Sequence, residues 1–188
     1  MRLRSAGYTL LMLMAQTCAL LGFACCAVVL TTFQEEWHLS NLQSGLIASA
    51  FFFGYMLVVP LATALTDRVD ARKVYLIGGI TATCGLLGMS LLAYNFWTAL
   101  FFMALNGAGL AGTYMPGLKI LSDRIQSGEL TRHIAFYTAF FGIGTGFSYL
   151  CSDWILSALG WHYVFGVICF RPLQRLSDCV VVDSCPRV

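Results

Sequence analysis

Four stretches of this chain, residues 8–33, 42–65, 74–94 and 96–118, contain no Asp, Glu, Lys or Arg. A bilayer core about 30 Å thick is crossed by roughly 20 apolar residues of helix, and each stretch reaches that length. A fifth, 134–151, is uncharged and close to the short limit; a sixth, 154–170, is interrupted by His162 and stops at Arg171 and Pro172, which makes it incomplete as a span. With 59% of its residues hydrophobic and only 11% charged, the chain falls well below the roughly one-quarter charged content of soluble domains. The apolar residues run continuously rather than alternating, which excludes a membrane β-barrel. The sequence therefore specifies an all-α membrane protein, a bundle of about six transmembrane helices.

The basic residues support the same count independently. Arg2 and Arg4 precede the first stretch, Arg68, Arg72 and Lys73 join the second to the third, and Lys119, Arg124 and Arg132 flank the link between the fourth and fifth. The remaining connections contain no Lys or Arg. Because basic loops stay on the cytoplasmic side, the N-terminus is expected in the cytoplasm, with the chain zigzagging through a plasma (inner) membrane. A secretory signal peptide is the other reading of the N-terminus, but the apolar run exceeds the usual ~7–15 residue core and further spans follow. A net charge of +2 without a basic stripe gives no sign of nucleic acid as a partner.

Of eight cysteines, Cys18, Cys25, Cys26, Cys84, Cys151 and Cys169 lie in or at the ends of apolar stretches and read as small hydrophobes. There is no CxxC and no Cys/His cluster with zinc spacing, so neither a metal nor a cofactor is expected. No internal repeat is evident. The segment 171–188 has no helical period; it reads as a tail or as sequence from a shifted reading frame, two alternatives the residues leave open.

Inside lipid, apolar burial does not pull helices together, and small residues mark the faces where backbones approach. Gly107, Gly109 and Gly112 in the fourth stretch, and Gly142, Gly144 and Gly146 in the fifth, are expected to pack in this way. Polar residues at mid-membrane are costly and tend to face an interior. Gln16, Thr17 and Asn106, with weaker contributions from Tyr55, Tyr114, Thr145 and Tyr149, are the candidates to line a solute path; hydrogen bonding between helices without any ligand is the competing role. Pro116 can bend the fourth helix and free backbone carbonyls.

The link after the second stretch reads Thr63, then Asp67, Arg68, Val69, Asp70, Ala71, Arg72 and Lys73. It resembles the loop signature of the major facilitator superfamily: a Gly, three residues, an Asp, a basic residue, any residue, a Gly and two basic residues. Asp67, Arg68 and Arg72 match; Thr63, Asp70 and Ala71 depart from the pattern. Gly107 and Gly109 resemble the family's Gly-x-Gly on the fourth helix, with Met103 where the family has Arg. Gly160, Trp161 and Phe165 resemble its opening of the sixth helix. The fifth helix lacks the proline of the antiporter signature.

The resemblance implies the N-terminal half of a secondary transporter, cut short near its sixth span, in which two six-helix halves rock around a mid-bilayer site. It also implies a gating role for Asp67, Arg68 and Arg72, with Asp123 beneath the fourth helix as a partner for Arg72. An acid near a helix N-terminus gains about 0.3–1 kcal/mol, enough for several such contacts to bias a two-state equilibrium. The partners implied are the lipid bilayer, a small-molecule solute, and an absent C-terminal half or a second copy. With no charge inside the four best spans, a proton relay in this half is disfavoured, leaving uniport, sodium coupling or a coupling site elsewhere. An inert fragment or an interaction subunit is the rival function. An intramembrane enzyme finds no support, since no nucleophile and base stand together.

The zigzag makes a direct prediction. Single cysteines at Glu36 and Val69, in a background without native cysteines, are expected to react with an impermeant thiol reagent from opposite sides of the membrane. Reaction of both from one side would overturn the topology.

Overall fold

A computed structural model describes residues 2–123 and 130–167. Five long helices, α1 (Arg2–Trp37), α2 (Asn41–Thr66), α3 (Ala71–Leu92), α4 (Phe96–Ser122) and α5 (Leu130–Leu159), are followed by a helical run α6 (161–167). Among the described residues, α2 to α5 are each long and apolar enough to cross a membrane. Arg124, residues 168–170 of the sixth stretch and the segment 171–188 lie outside the described residues.

The helix ends are set by turn chemistry, not by where hydrophobicity stops. α1 continues past residue 33 through Glu35 and Glu36 and ends at Trp37, just before His38, whose φ of 51° is left-handed. Ser40 and Gln43 form a reciprocal capping box that starts α2; Asn95 and Thr98 do the same for α4. The fifth and sixth spans are divided differently from the hydropathy reading. Trp154, expected to begin the sixth, belongs to α5, because the helix runs through Asp153 and stops only at Gly160. Gly160 has φ +92°, accessible chiefly to glycine, and its N–H closes on Leu156 O at 3.1 Å.

Packing centres on α4, which lies between α2 and α3. A Cβ on Gly107 would run into the backbone carbonyl of Phe51, and one on Gly54 into that of Ala104, so α2 and α4 touch backbone to backbone. On the other side of α4, a Cβ on Gly112 would lie 2.8 Å from Gly78 Cα, and one on Gly109 would overlap Ala82. α1 packs chiefly on α5, where Gly144, Ser148 and Ser152 are all buried. These three are spaced four apart, so they stack on one helix face and form a small-residue stripe.

Gly142 and Gly146 were expected in that contact as well, but a Cβ at either position meets nothing within 4 Å. Two residues along a helix rotate the side chain by about 200°, so these glycines face away from the surface that Gly144 buries. Cys25 and Cys26 are buried, as small hydrophobes would be, whereas Cys84 is exposed on α3.

The pairings repeat. α4 packs on α2 and α3; α1 packs on α5 and on α6, through Phe33 against Trp161 and Phe165. Exchanging α1, α2, α3 with α4, α5, α6 maps one set onto the other. This is the contact pattern of two three-helix repeats, although the sequence carries no visible repeat.

Glycine removal at the tight crossings should be far costlier than at the open ones. Gly107→Ala is expected to destabilise the bundle by about 1–3 kcal/mol, the usual cost of overpacking, and Gly142→Ala to change it little, measured by unfolding in mixed detergent micelles. Equal effects would mean that α2 and α4 are not in backbone contact.

Candidate functional site

The loop between α2 and α3 is built from two differently employed aspartates. Asp70 is the N-cap of α3: its carboxylate accepts from the Arg72 backbone N–H at 3.0 Å. Asp67 occupies the C-cap of α2, the negative end of that helix dipole, so the favourable N-terminal location expected for it belongs to Asp70 instead. Lys119, from the last turn of α4, offsets the mismatch. Its Nζ donates to Asp67 Oδ1 at 2.7 Å and to the carbonyl of Thr66, the last residue of α2, also at 2.7 Å. One ammonium therefore binds the α2 terminus to α4.

The side chain of Asp67 is 72% exposed and that of Lys119 34%. An ion pair so open to solvent is worth at most about 1 kcal/mol, too little to hold the bundle together but enough to bias one arrangement over another. Arg68 and Asp123 are exposed and Arg72 half-buried at the same end. Lys119 was visible in the sequence only as part of the basic pattern; nothing local identifies it as the partner of an acid 52 residues away.

The polar residues of the proposed solute path divide into three groups. Gln16 is 2% exposed; its Oε1 accepts from Tyr137 Oη at 2.8 Å, and its Nε2 has no hydrogen-bond partner among the described residues. Asn106 is buried and donates from Nδ2 to Gly22 O at 3.1 Å, joining α4 to α1. Thr17 and Thr145 bond back to Leu13 O and Phe141 O within their own helices, which satisfies their hydroxyls locally. Tyr55 and Tyr114 are half-buried and Tyr149 is exposed.

A chain of rings connects these helices. Tyr137 and Tyr114 lie 5.5 Å apart, Tyr114 and Phe141 5.8 Å, Phe141 and Phe23 5.6 Å, and Phe23 and Phe51 5.3 Å. The chain passes through α5, α4, α1 and α2, at spacings typical of favourable aromatic pairs. Tyr137 and the buried Ser148, like Lys119, are residues that sequence reading did not single out. An aromatic or a serine in an apolar run carries no signal until a second helix supplies its partner.

Bilayer-length helices joined by buried amides, with a charged pair at one end, define a polytopic membrane protein. The family profile of the Major Facilitator Superfamily matches residues 12–170, and the chain belongs to that superfamily. It is 24% identical over 166 residues to a probable sphingolipid transporter, spinster homolog 1 of Arabidopsis thaliana, covering 82% of this chain and 34% of that protein. It is 27% identical over 143 residues to protein spinster homolog 1 of Xenopus tropicalis, covering 75% and 27% respectively. To the niacin transporter NiaP of Acinetobacter baylyi it is 29% identical over 144 residues, covering 74% and 31%. The matched region thus spans about a third of the length of these relatives.

Removing the Tyr137 hydroxyl strands a second buried atom on Gln16. Tyr137→Phe is expected to destabilise the bundle by about 1–2 kcal/mol, the cost of an unmet buried acceptor, read by chemical unfolding in micelles. No change would show that Gln16 finds another donor.

Proposed function

We propose that this bundle is one half of a transporter that moves a small organic solute across the membrane by alternating access. The single observation that carries the reading is the Asp67–Lys119 pair. It ties α2 to α4 at the end where the loop signature lies, and it is weak enough to break and re-form in a conformational cycle. Arg68, Arg72 and Asp123 complete the charged group there. That end is proposed to face the cytoplasm, with the N-terminus, because the basic residues gather on it; the plasma (inner) membrane is the proposed location.

The solute is proposed to pass along the ring-lined face of α1, α2, α4 and α5, with Tyr55, Tyr114, Tyr149, Gln16, Thr17, Asn106 and Thr145 as the polar groups along it. Aromatic faces with scattered hydroxyls and no charge suit an organic molecule with an apolar or planar body. The named relatives, a probable sphingolipid transporter and a niacin transporter, indicate the range. Alternating access requires a second bundle for this one to rock against, supplied by a further six-helix half or by a second copy.

Proteoliposomes in which this bundle is paired with an opposing one test the proposal, with nicotinic acid and sphingosine as the first solutes. Asp67→Asn is expected to lower uptake by up to about fivefold, the effect of losing an ion pair worth about 1 kcal/mol on a two-state equilibrium, while leaving insertion intact. Unchanged uptake would reduce Asp67 to a surface charge, and absence of uptake with every solute would favour an interaction subunit.

A further inference from the structure

Proline has no N–H, so inside a helix it leaves the carbonyl four residues earlier without its ladder donor, and its ring pushes that carbonyl off the axis. Two of the described helices contain one, Pro60 in α2 and Pro116 in α4. The carbonyls they release are those of Met56 and Gly112. In hydrocarbon a released carbonyl is costly, and it is tolerated where protein or a polar cavity covers it.

The two carbonyls meet different surroundings. Gly112 O is covered by α3: a Cβ on Gly78 would lie 2.7 Å from it, so the Gly78 backbone closes over it. Met56 is 74% exposed and Pro60 is exposed as well, so the carbonyl between them opens onto the unpacked face of α2. The hydroxyls of Ser49, Thr63 and Thr66 on the same helix are spent on the carbonyls of Gly45, Val59 and Thr63.

Met56 stands ten positions before Thr66, the end of α2, about 15 Å along the axis and so half-way through a ~30 Å core. Residues 52, 56 and 60 share one helix face, and Phe52 on that face meets the Phe23 ring of α1 at 6.0 Å. The released oxygen therefore continues the ring-lined face at mid-depth. It is an acceptor, whereas the donor Gln16 Nε2, without a partner among the described residues, is sealed inside the bundle. None of the four best spans holds a Lys or Arg to receive an anion.

We infer that Met56 O is a binding group of the solute path, and that the solute it fits carries an N–H or O–H donor, an ammonium or a hydroxyl, on an apolar body. Sphingosine has both donors; the ionised carboxylate of nicotinic acid has none. That the occupant is a transported solute rests on the alternating-access reading. That the oxygen is free to bind one does not.

Infrared spectroscopy of the 188-residue chain, made by semisynthesis with carbon-13 and oxygen-18 at the Met56 carbonyl, tests it in phosphatidylcholine nanodiscs, a lipid with no N–H or O–H of its own. The labelled band is expected at the frequency of an unbonded carbonyl. Sphingosine is expected to move it to lower frequency, and methyl stearate, a similar chain with acceptors only, to leave it in place. In Pro60→Ala residue 60 regains its N–H; the band is expected low from the start, and sphingosine affinity to fall about fivefold, the weight of one hydrogen bond. The wild-type measurement stands without this variant should it fail to insert. A low band in the wild type before sphingosine is added overturns the inference, whether its own helix, water or a second copy supplies the donor, and so does a band that sphingosine leaves unmoved. If sphingosine moves the band but is not taken up when the bundle is paired with an opposing one, the binding group stands and the transport reading fails.

Discussion

The close approach of α4 to α2 on one side and α3 on the other governs the rest of the bundle. In lipid, apolar side chains gain little by leaving one hydrocarbon environment for another, so stability comes from contact distance and from polar groups that find partners. Gly54 and Gly107 bring α2 and α4 together reciprocally, and Gly78 and Gly112 do the same for α3 and α4. Once the backbones are that close, Lys119 reaches the end of α2 and Asn106 reaches α1. The charged pair and the buried amide are consequences of the glycine contacts. Transmembrane hydrogen bonds average only about 0.6 kcal/mol, so neither could impose the arrangement by itself.

α1 is held by different means. Its neighbours offer serine hydroxyls and rings, with Gly144 against the Leu20 side chain, and its hydrogen bonds run to α4 through Asn106 and to α5 through Tyr137 and Ser148. A helix secured by several weak polar contacts can trade them singly, whereas helices in backbone contact move together. The architecture thus separates a tight group, α2, α3 and α4, from a helix whose middle turn is shared with its neighbours.

Most of the fold was legible because its strongest requirement, apolar length, is written residue by residue. The charge zigzag added the count, and the loop around Asp67 pointed to the family now shown by the match over residues 12–170. Three features were not legible, each for a physical reason. Hydropathy divided the chain near Asp153, but an exposed carboxylate does not end a helix, and Gly160 does. Glycine density suggested contact at Gly142 and Gly146, but direction on a helix depends on phase, and only Gly144 has the right one. The partners of Asp67, Gln16 and Leu21 are Lys119, Tyr137 and Ser148, each more than fifty residues away, and no local pattern announces them.

The contact on which the account depends can be observed without altering the protein. Solid-state NMR of the chain in lipid bilayers, with carbon-13 at the glycine Cα positions, reports which glycines touch. Gly78 and Gly112 are the pair for which direct contact is expected, since a Cβ on either would lie 2.8 Å from the other's Cα. A strong Gly78–Gly112 cross-peak at short mixing times, with Gly142 and Gly146 showing none to other helices, is the predicted result. Absence of the Gly78–Gly112 cross-peak would mean that α3 and α4 do not meet through their backbones, and the packing described for α4 would be wrong.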